Sequence, residues 1–164
     1  MSDYFKEILN HSKKASSAMS KLSAEDRSRI LMNISGFLLS KKDGILEANR
    51  IDIDRAKSNN ISAPMINRLV LTSEKIDQLS RDVEKIAQME DPLNQTLENW
   101  TNPSNGLQFT KVSVAIGVIG IIYESRPNVT IDAACICLRS GNVSILRGGS
   151  AVSYTHLTLP TIVD

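Results

Sequence analysis

The chain has 164 residues, a length typical of one ordinary domain. Its 41% hydrophobic and 23% charged residues give the balance of a soluble globular protein. A net charge of +1 gives no reason to expect a nucleic-acid or anionic-membrane partner, and no apolar run reaches the ~20 residues that cross a bilayer.

Helical patterns dominate the first hundred residues. Ser23 to Asp26 form a capping box in which aspartate replaces the usual glutamate or glutamine. Thr72 or Ser73 is predicted to cap a helix that carries the clearest apolar stripe of the chain. We therefore assign residues 1–106 to a helical part, whose last stretch, 91–106, is predicted to be a turn-rich connector.

A strand is predicted over 107–114, and a strand–helix–strand unit follows over 115–152. The apolar, β-branched run 115–123 is typical of a strand buried on both faces. Asn128 stands where a helix N-cap is expected, and Gly141 provides the helix stop. A second apolar run then ends at Arg147, and such a crossover predicts two parallel strands.

Cys135 and Cys137 lie two residues apart in the predicted helix. That spacing places them about 200° apart around the axis, so they are poor candidates to bond each other. We expect both to be core side chains rather than nucleophiles. The charged start of the chain is not a signal-peptide core, so we expect a reducing, cytoplasmic location.

Residues 116–134, IGVIGIIYESRPNVTIDAA, and residues 140–150, SGNVSILRGGS, closely resemble the γ-glutamyl phosphate reductases of proline biosynthesis. The most specific part is the run from Tyr123 to Val129. The resemblance implies an α/β, aldehyde-dehydrogenase-like fold. In this chain we expect its helical N-terminal layer, a strand of its oligomerisation arm, and the first βαβ of its dinucleotide-binding domain.

The resemblance also implies an activity. The family reduces L-glutamyl 5-phosphate to L-glutamate 5-semialdehyde with NADPH and releases phosphate, through a cysteine that lies beyond the part seen here. We therefore expect a homo-oligomeric parent enzyme, with NADP as cofactor and no metal, and an N-terminal fragment that is inactive alone. Residues 153–164 depart from the family pattern, and we interpret them as an assembly artefact that gives His156 no role.

Four candidate cofactor residues lie at the ends of the two predicted strands. An arginine at the end of the second strand, Arg147, suits the 2′-phosphate of NADP, where an acid suits NAD. Gly148 and Gly149 let backbone approach a ligand closely, although an ordinary turn explains them equally well. Glu124 follows the first strand, at the edge where open α/β sheets bind ligands.

Two candidate substrate residues follow Glu124. Arg126 offers a bidentate fork for a phosphate or carboxylate. Asn128 either caps the helix or donates to a developing oxyanion. A gapless comparison with the wider superfamily puts Glu124, rather than Asn128, at the oxyanion asparagine, so the catalytic residues stay unassigned.

Two alternatives remain open. The segment can be the reductase part of a fused kinase–reductase, although helices that belong to the reductase begin at Met1. It can instead be a short nucleotide-binding or interaction module without catalysis, which requires residues 154–164 to be native and ordered.

Overall fold

A computed structural model describes residues 3–124, 126–149 and 154–155, and within these ranges the chain forms six helices and four strands. None of the described helices is long and apolar enough to cross a membrane. In chain order the elements are α1 (Asp3–Met19), α2 (Ala24–Ser40), α3 (Lys42–Ser58), α4 (Ala63–Leu69), α5 (Ser73–Gln88), β1 (Thr96–Thr101), β2 (Gln108–Val112), β3 (Val118–Ile122), α6 (Asn128–Arg139) and β4 (Val143–Arg147).

The predicted helix starts are confirmed at α2 and α5. The Ser23 hydroxyl accepts the Asp26 N–H at 3.0 Å, and the Asp26 carboxylate accepts the Ser23 N–H at 3.3 Å. Aspartate therefore completes the capping box in place of glutamate. Thr72 caps α5 in the same way, because its hydroxyl accepts the Lys75 N–H.

The hydrophobic core lies where α2, α5 and α6 meet. Leu31 and Leu38 of α2, Val83 of α5 and Cys135 of α6 are fully buried there. One buried arginine links the helices at the edge of this core, since Arg139 donates to the Ser28 hydroxyl at 2.7 Å and to the Met89 carbonyl. α6 connects the helical part to the parallel sheet, because it packs against α2 and α5 and also contacts β4.

The connector predicted over 91–106 was wrong in part, because it contains the strand β1. β1 pairs antiparallel with β2 across a turn that uses Gly106 at φ +71°. Trp100 and Phe109 stack across the hairpin with ring centroids 5.2 Å apart. Every residue of both strands is exposed, so the inside–outside alternation that marks a strand in sequence is absent here.

The strand–helix–strand unit is confirmed, with β3 and β4 parallel and Val118 paired with Val143. Gly141, at φ +68°, ends α6 in a Schellman motif in which the Asn142 N–H donates to the Cys137 carbonyl. The predicted N-cap at Asn128 was wrong. Pro127 already has helical dihedrals and takes the cap position, so Asn128 is the first residue of α6.

The first strand has a sequence typical of burial on both faces, but in this chain it is not buried in that way. Ile122 at the end of β3 is 84% exposed, and Ile116 just before β3 is 82% exposed. Among the described residues this sheet has only two strands, packed against α1 and α6. A parallel sheet buries both faces only when further strands and helices flank it.

A buried polar cluster on α3 holds two distant segments. Asn49 donates to the Leu69 carbonyl at 2.9 Å and accepts the Leu71 N–H at 2.8 Å. The Asp52 carboxylate accepts the Thr155 N–H at 2.8 Å and the Thr155 hydroxyl at 2.7 Å. Thr155 is fully buried. Of the tail predicted to be foreign, 153–164, only Tyr154 and Thr155 are described, and the rest, His156 included, lies outside the described residues.

Candidate functional site

The two parallel strands end side by side, so several predicted cofactor residues are neighbours in space. Ile122 of β3 pairs with Arg147 of β4, and the Tyr123 N–H donates to the Arg147 carbonyl at 3.1 Å. Just beyond, the Gly149 N–H donates to the Glu124 carbonyl at 3.0 Å. Glu124, Arg147 and Gly149 therefore share one edge of the sheet.

The Arg147 side chain is exposed at this edge. Among the described residues its guanidinium has no hydrogen-bond acceptor and no ion-pair partner, so its charge is available to a ligand. At Gly149 the structure gives a steric reason for glycine that does not involve a ligand. A Cβ there would lie 2.4 Å from the Glu124 carbonyl oxygen, so the close approach of the two strand ends itself requires glycine.

Glu124 and Arg126 both point away from the core. The Glu124 carboxylate lies 4.0 Å from a guanidinium nitrogen of Arg68, and both side chains are more than half exposed. An exposed pair at that distance contributes little and is easily rearranged. Arg126 is exposed, and its backbone carbonyl accepts the Val129 N–H at 3.1 Å.

Asn128 has a side-chain partner that sequence reasoning missed. Its amide nitrogen donates to the Asp132 carboxylate at 2.9 Å, one turn further along α6. Burial raises the pKa of the Asp132 carboxyl above its usual value, and this hydrogen bond opposes the rise only in part. The i, i+4 spacing of the two residues was the available signal for the contact.

A cleft of about 270 Å³ opens beside this hydrogen bond, between α5 and the start of α6. Its polar side chains come from α4, α5 and α6, so no local sequence pattern groups them all. The side chains and backbone that line it come from Arg68, Val70, Leu71, Lys75, Gln78, Leu79, Asp82, Asn128 and Asp132.

The two cysteines are core side chains, as predicted. Burial raises the pKa of the Cys135 thiol to about 12 and also raises the pKa of Cys137. Both shifts disfavour the thiolate that a nucleophile needs. Across the described ranges, no group of three His, Cys, Asp or Glu side chains is placed to hold a metal ion.

Curated relatives match nearly the whole chain. It is 37% identical to the γ-glutamyl phosphate reductase of Thermodesulfovibrio yellowstonii over 159 residues, which are 95% of this chain and 38% of that protein. It is 42% identical to the enzyme of Caldanaerobacter subterraneus over 151 residues, 92% of this chain and 36% of that protein. The relative from Geobacter sp. strain M21 is 36% identical over 163 residues, so its match extends beyond residue 152. No family model matches the chain.

Solved structures give the same result for the fold. The crystal structure of γ-glutamyl phosphate reductase from Thermotoga maritima superposes with a TM-score of 0.90 at 32% identity, over 96% of this chain and 38% of that one. The Saccharomyces cerevisiae enzyme gives 0.87 at 30% identity, over 94% of this chain and 39% of that one. The predicted α/β fold class is thereby confirmed.

The chain spans a little over a third of the length of these relatives, so it is similar to one part of them. Within that part, the resemblance carried by residues 116–134 and 140–150 is confirmed.

Proposed function

We propose that this chain, a relative of the γ-glutamyl phosphate reductases, forms the part of such an enzyme that holds the cofactor edge and one wall of the substrate site. The reaction is reduction of L-glutamyl 5-phosphate by NADPH to L-glutamate 5-semialdehyde, NADP⁺ and phosphate. The observation that carries the proposal is 37–42% identity to enzymes of that name over more than nine-tenths of the chain.

The cofactor edge is built from Arg147, Gly148, Gly149 and Glu124. NADPH supplies the hydride when it is bound. An exposed guanidinium without a described partner fits the 2′-phosphate that distinguishes NADPH from NADH. Among the described residues the Glu124 carboxylate has one weak pair, with Arg68, and can accept ribose hydroxyls of the cofactor.

The substrate wall is built from Arg126 and Asn128. Arg126 presents a planar fork to the substrate's phosphate or carboxylate. Asn128 donates one amide proton to Asp132. Among the described residues its other proton and its carbonyl oxygen have no partner, so both can bind a ligand. Neither cysteine of this chain supplies the nucleophile, because burial disfavours both thiolates. The isolated chain is therefore proposed to be inactive.

We extend the proposal to subunit contacts through the β1–β2 hairpin. Its residues are all exposed, including the stacked pair Trp100 and Phe109, which are 51% and 40% exposed. Large aromatic side chains left in solvent are typical of protein interfaces. This supports a homo-oligomeric enzyme in which the hairpin contacts a second copy.

A chimera tests the activity directly. Residues 1–149 of this chain replace the matching part of the Thermotoga maritima reductase, and NADPH oxidation is followed with L-glutamyl 5-phosphate as substrate. We expect turnover from the chimera and none from the 164-residue chain alone. An inactive chimera with native-like folding contradicts the proposal.

Cofactor selection is tested in the same chimera with Arg147→Ala. We expect the ratio of kcat/KM for NADPH over NADH to fall by the equivalent of about 1.5–3 kcal/mol, the contribution of a hydrogen bond to a charged group. Arg55→Ala, at an exposed arginine on α3, is the matched control and should leave the ratio unchanged. An unchanged ratio in Arg147→Ala removes the role of this residue.

A further inference from the structure

The cleft beside Asn128 has the size of a small-metabolite site. Its volume is about 270 Å³, just below the roughly 300–1,000 Å³ of drug-sized ligand pockets. A dinucleotide does not fit such a space. The residues that line the cleft are distinct from those of the cofactor edge, although Arg68 of the cleft pairs with Glu124 of that edge.

Two cationic side chains line one part of the cleft. The Lys75 ammonium donates to the Val70 carbonyl at 2.6 Å, which uses one of its three protons and leaves two for a ligand. Arg68 lies 4.0 Å from Glu124 in an exposed pair, which releases the guanidinium at little cost. Both groups are placed to receive a carboxylate.

Two acidic side chains line another part of the cleft. Asp132 is partly buried, and one of its oxygens accepts the Asn128 amide, while the other oxygen accepts no hydrogen bond from the described residues. Asp82 receives Gln78 and Lys85 at 2.9 and 2.8 Å on one oxygen. A partly buried carboxylate with an unused oxygen is stabilised by a ligand cation.

We propose that this cleft binds the α-amino-acid end of the substrate, with the ammonium on Asp132 and Asp82 and the α-carboxylate on Lys75 and Arg68. The inference rests on the function proposed above and assigns its substrate subsite. The net charge of these two cations and two carboxylates is zero, and their separate positions suit the separated charges of a zwitterion. The two acidic side chains repel a simple dicarboxylate, and the two cationic side chains repel a diamine.

The first test measures binding to the 164-residue chain by isothermal titration and by amide chemical shifts. The probes are L-glutamate, glutarate, which lacks the ammonium, and 4-aminobutyrate, which lacks the α-carboxylate. We expect L-glutamate to bind most tightly and each of the other two to bind roughly ten- to a hundredfold more weakly. Equal affinity for the three probes, or no binding of any, overturns the proposal.

Variants assign the two ends of the zwitterion. Asp132→Asn should reduce the affinity for L-glutamate toward that of glutarate, while glutarate itself should bind no more weakly, because a repulsive carboxylate has been removed. Lys75→Gln should reduce it to that of 4-aminobutyrate, and since Lys75 is exposed this variant is expected to fold. The matched controls Asp43→Asn and Lys57→Gln, at exposed residues of α3, should change nothing.

A second measurement separates this subsite from the overall function. In the chimera, both variants should raise KM for L-glutamyl 5-phosphate roughly ten- to a hundredfold with kcat largely retained. An active chimera whose KM is unchanged by both overturns the subsite alone. An inactive chimera, with selective L-glutamate binding by the 164-residue chain, overturns the reductase proposal and leaves the amino-acid site in place.

Discussion

Replacing Gly149 by alanine puts a methyl group 2.4 Å from the carbonyl oxygen of Glu124 and 3.2 Å from its carbonyl carbon. Both atoms belong to backbone, so no flexible side chain can move aside. Overpacking of this kind costs about 1–3 kcal/mol. The hydrogen bond from the Gly149 N–H to the same oxygen is strained as well, which adds up to about 1 kcal/mol.

Gly120 provides a matched control on the neighbouring strand. A Cβ built there meets no heavy atom within 4 Å. Gly120→Ala should therefore change the free energy of unfolding by no more than about 0.5 kcal/mol, as surface substitutions away from special features do. The same chemical change thus separates the steric reason from any general effect of alanine.

Urea unfolding followed by circular dichroism measures both variants against the unchanged chain. We expect the Gly149→Ala midpoint to fall clearly and the Gly120→Ala midpoint to stay near that of the unchanged chain, with equal slopes. If Gly149→Ala proves as stable as Gly120→Ala, the strand ends do not approach as described. The glycine would then be explained by a ligand rather than by the Glu124 backbone.

Four further outcomes are expected. Iodoacetamide should label Cys135 roughly a thousandfold more slowly in the native chain than in urea, because its pKa is raised from 9.0 to about 12, and fast native labelling contradicts the burial. Asn49→Ala should lower the free energy of unfolding by about 2–4 kcal/mol in urea, since it leaves the Leu69 carbonyl and the Leu71 N–H unpaired, and a loss below 1 kcal/mol argues against that network. Burial raises the pKa of Asp132 above its ordinary value of 3.8, so the native state binds more protons than the unfolded state. The stability that this group contributes therefore falls as the pH rises from 3.8 through the folded pKa. Asp132→Asn should flatten this pH dependence of the free energy of unfolding, and an unaltered dependence assigns it to another group. The isolated chain should bind a hydrophobic dye at the open end of β3, and Ile122→Lys should weaken the fluorescence because Ile122 is 84% exposed; an equal signal places the dye elsewhere.

Local chemistry made several elements predictable. The Ser23 capping box, the Thr72 cap and the Gly141 helix stop each depend on residues within four positions of one another, so their pattern is visible in sequence. The parallel pairing of β3 with β4 followed from a general rule of chain crossing rather than from their side chains.

The missed features depend on information that local patterns lack. β1 has no buried face, so its residues resemble a polar connector. Asparagine is a common N-cap residue, but Pro127 has helical dihedrals and takes the cap position, so α6 begins one residue earlier than predicted. The cleft unites Arg68, Lys75 and Asp132 from three helices, and only tertiary packing brings them together.

The contact between Asp52 and Thr155 bears on the order in which parts of the chain fold. Its partner Thr155 lies 103 residues further along, whereas α2 to α5 find one another within a much shorter stretch. Contacts of high sequence separation form late, because a long loop must close first, and a growing chain emerges amino end first. The α2–α5 helices can therefore pack while Asp52 is still hydrated, and the later arrival of Thr155 withdraws that carboxylate from water.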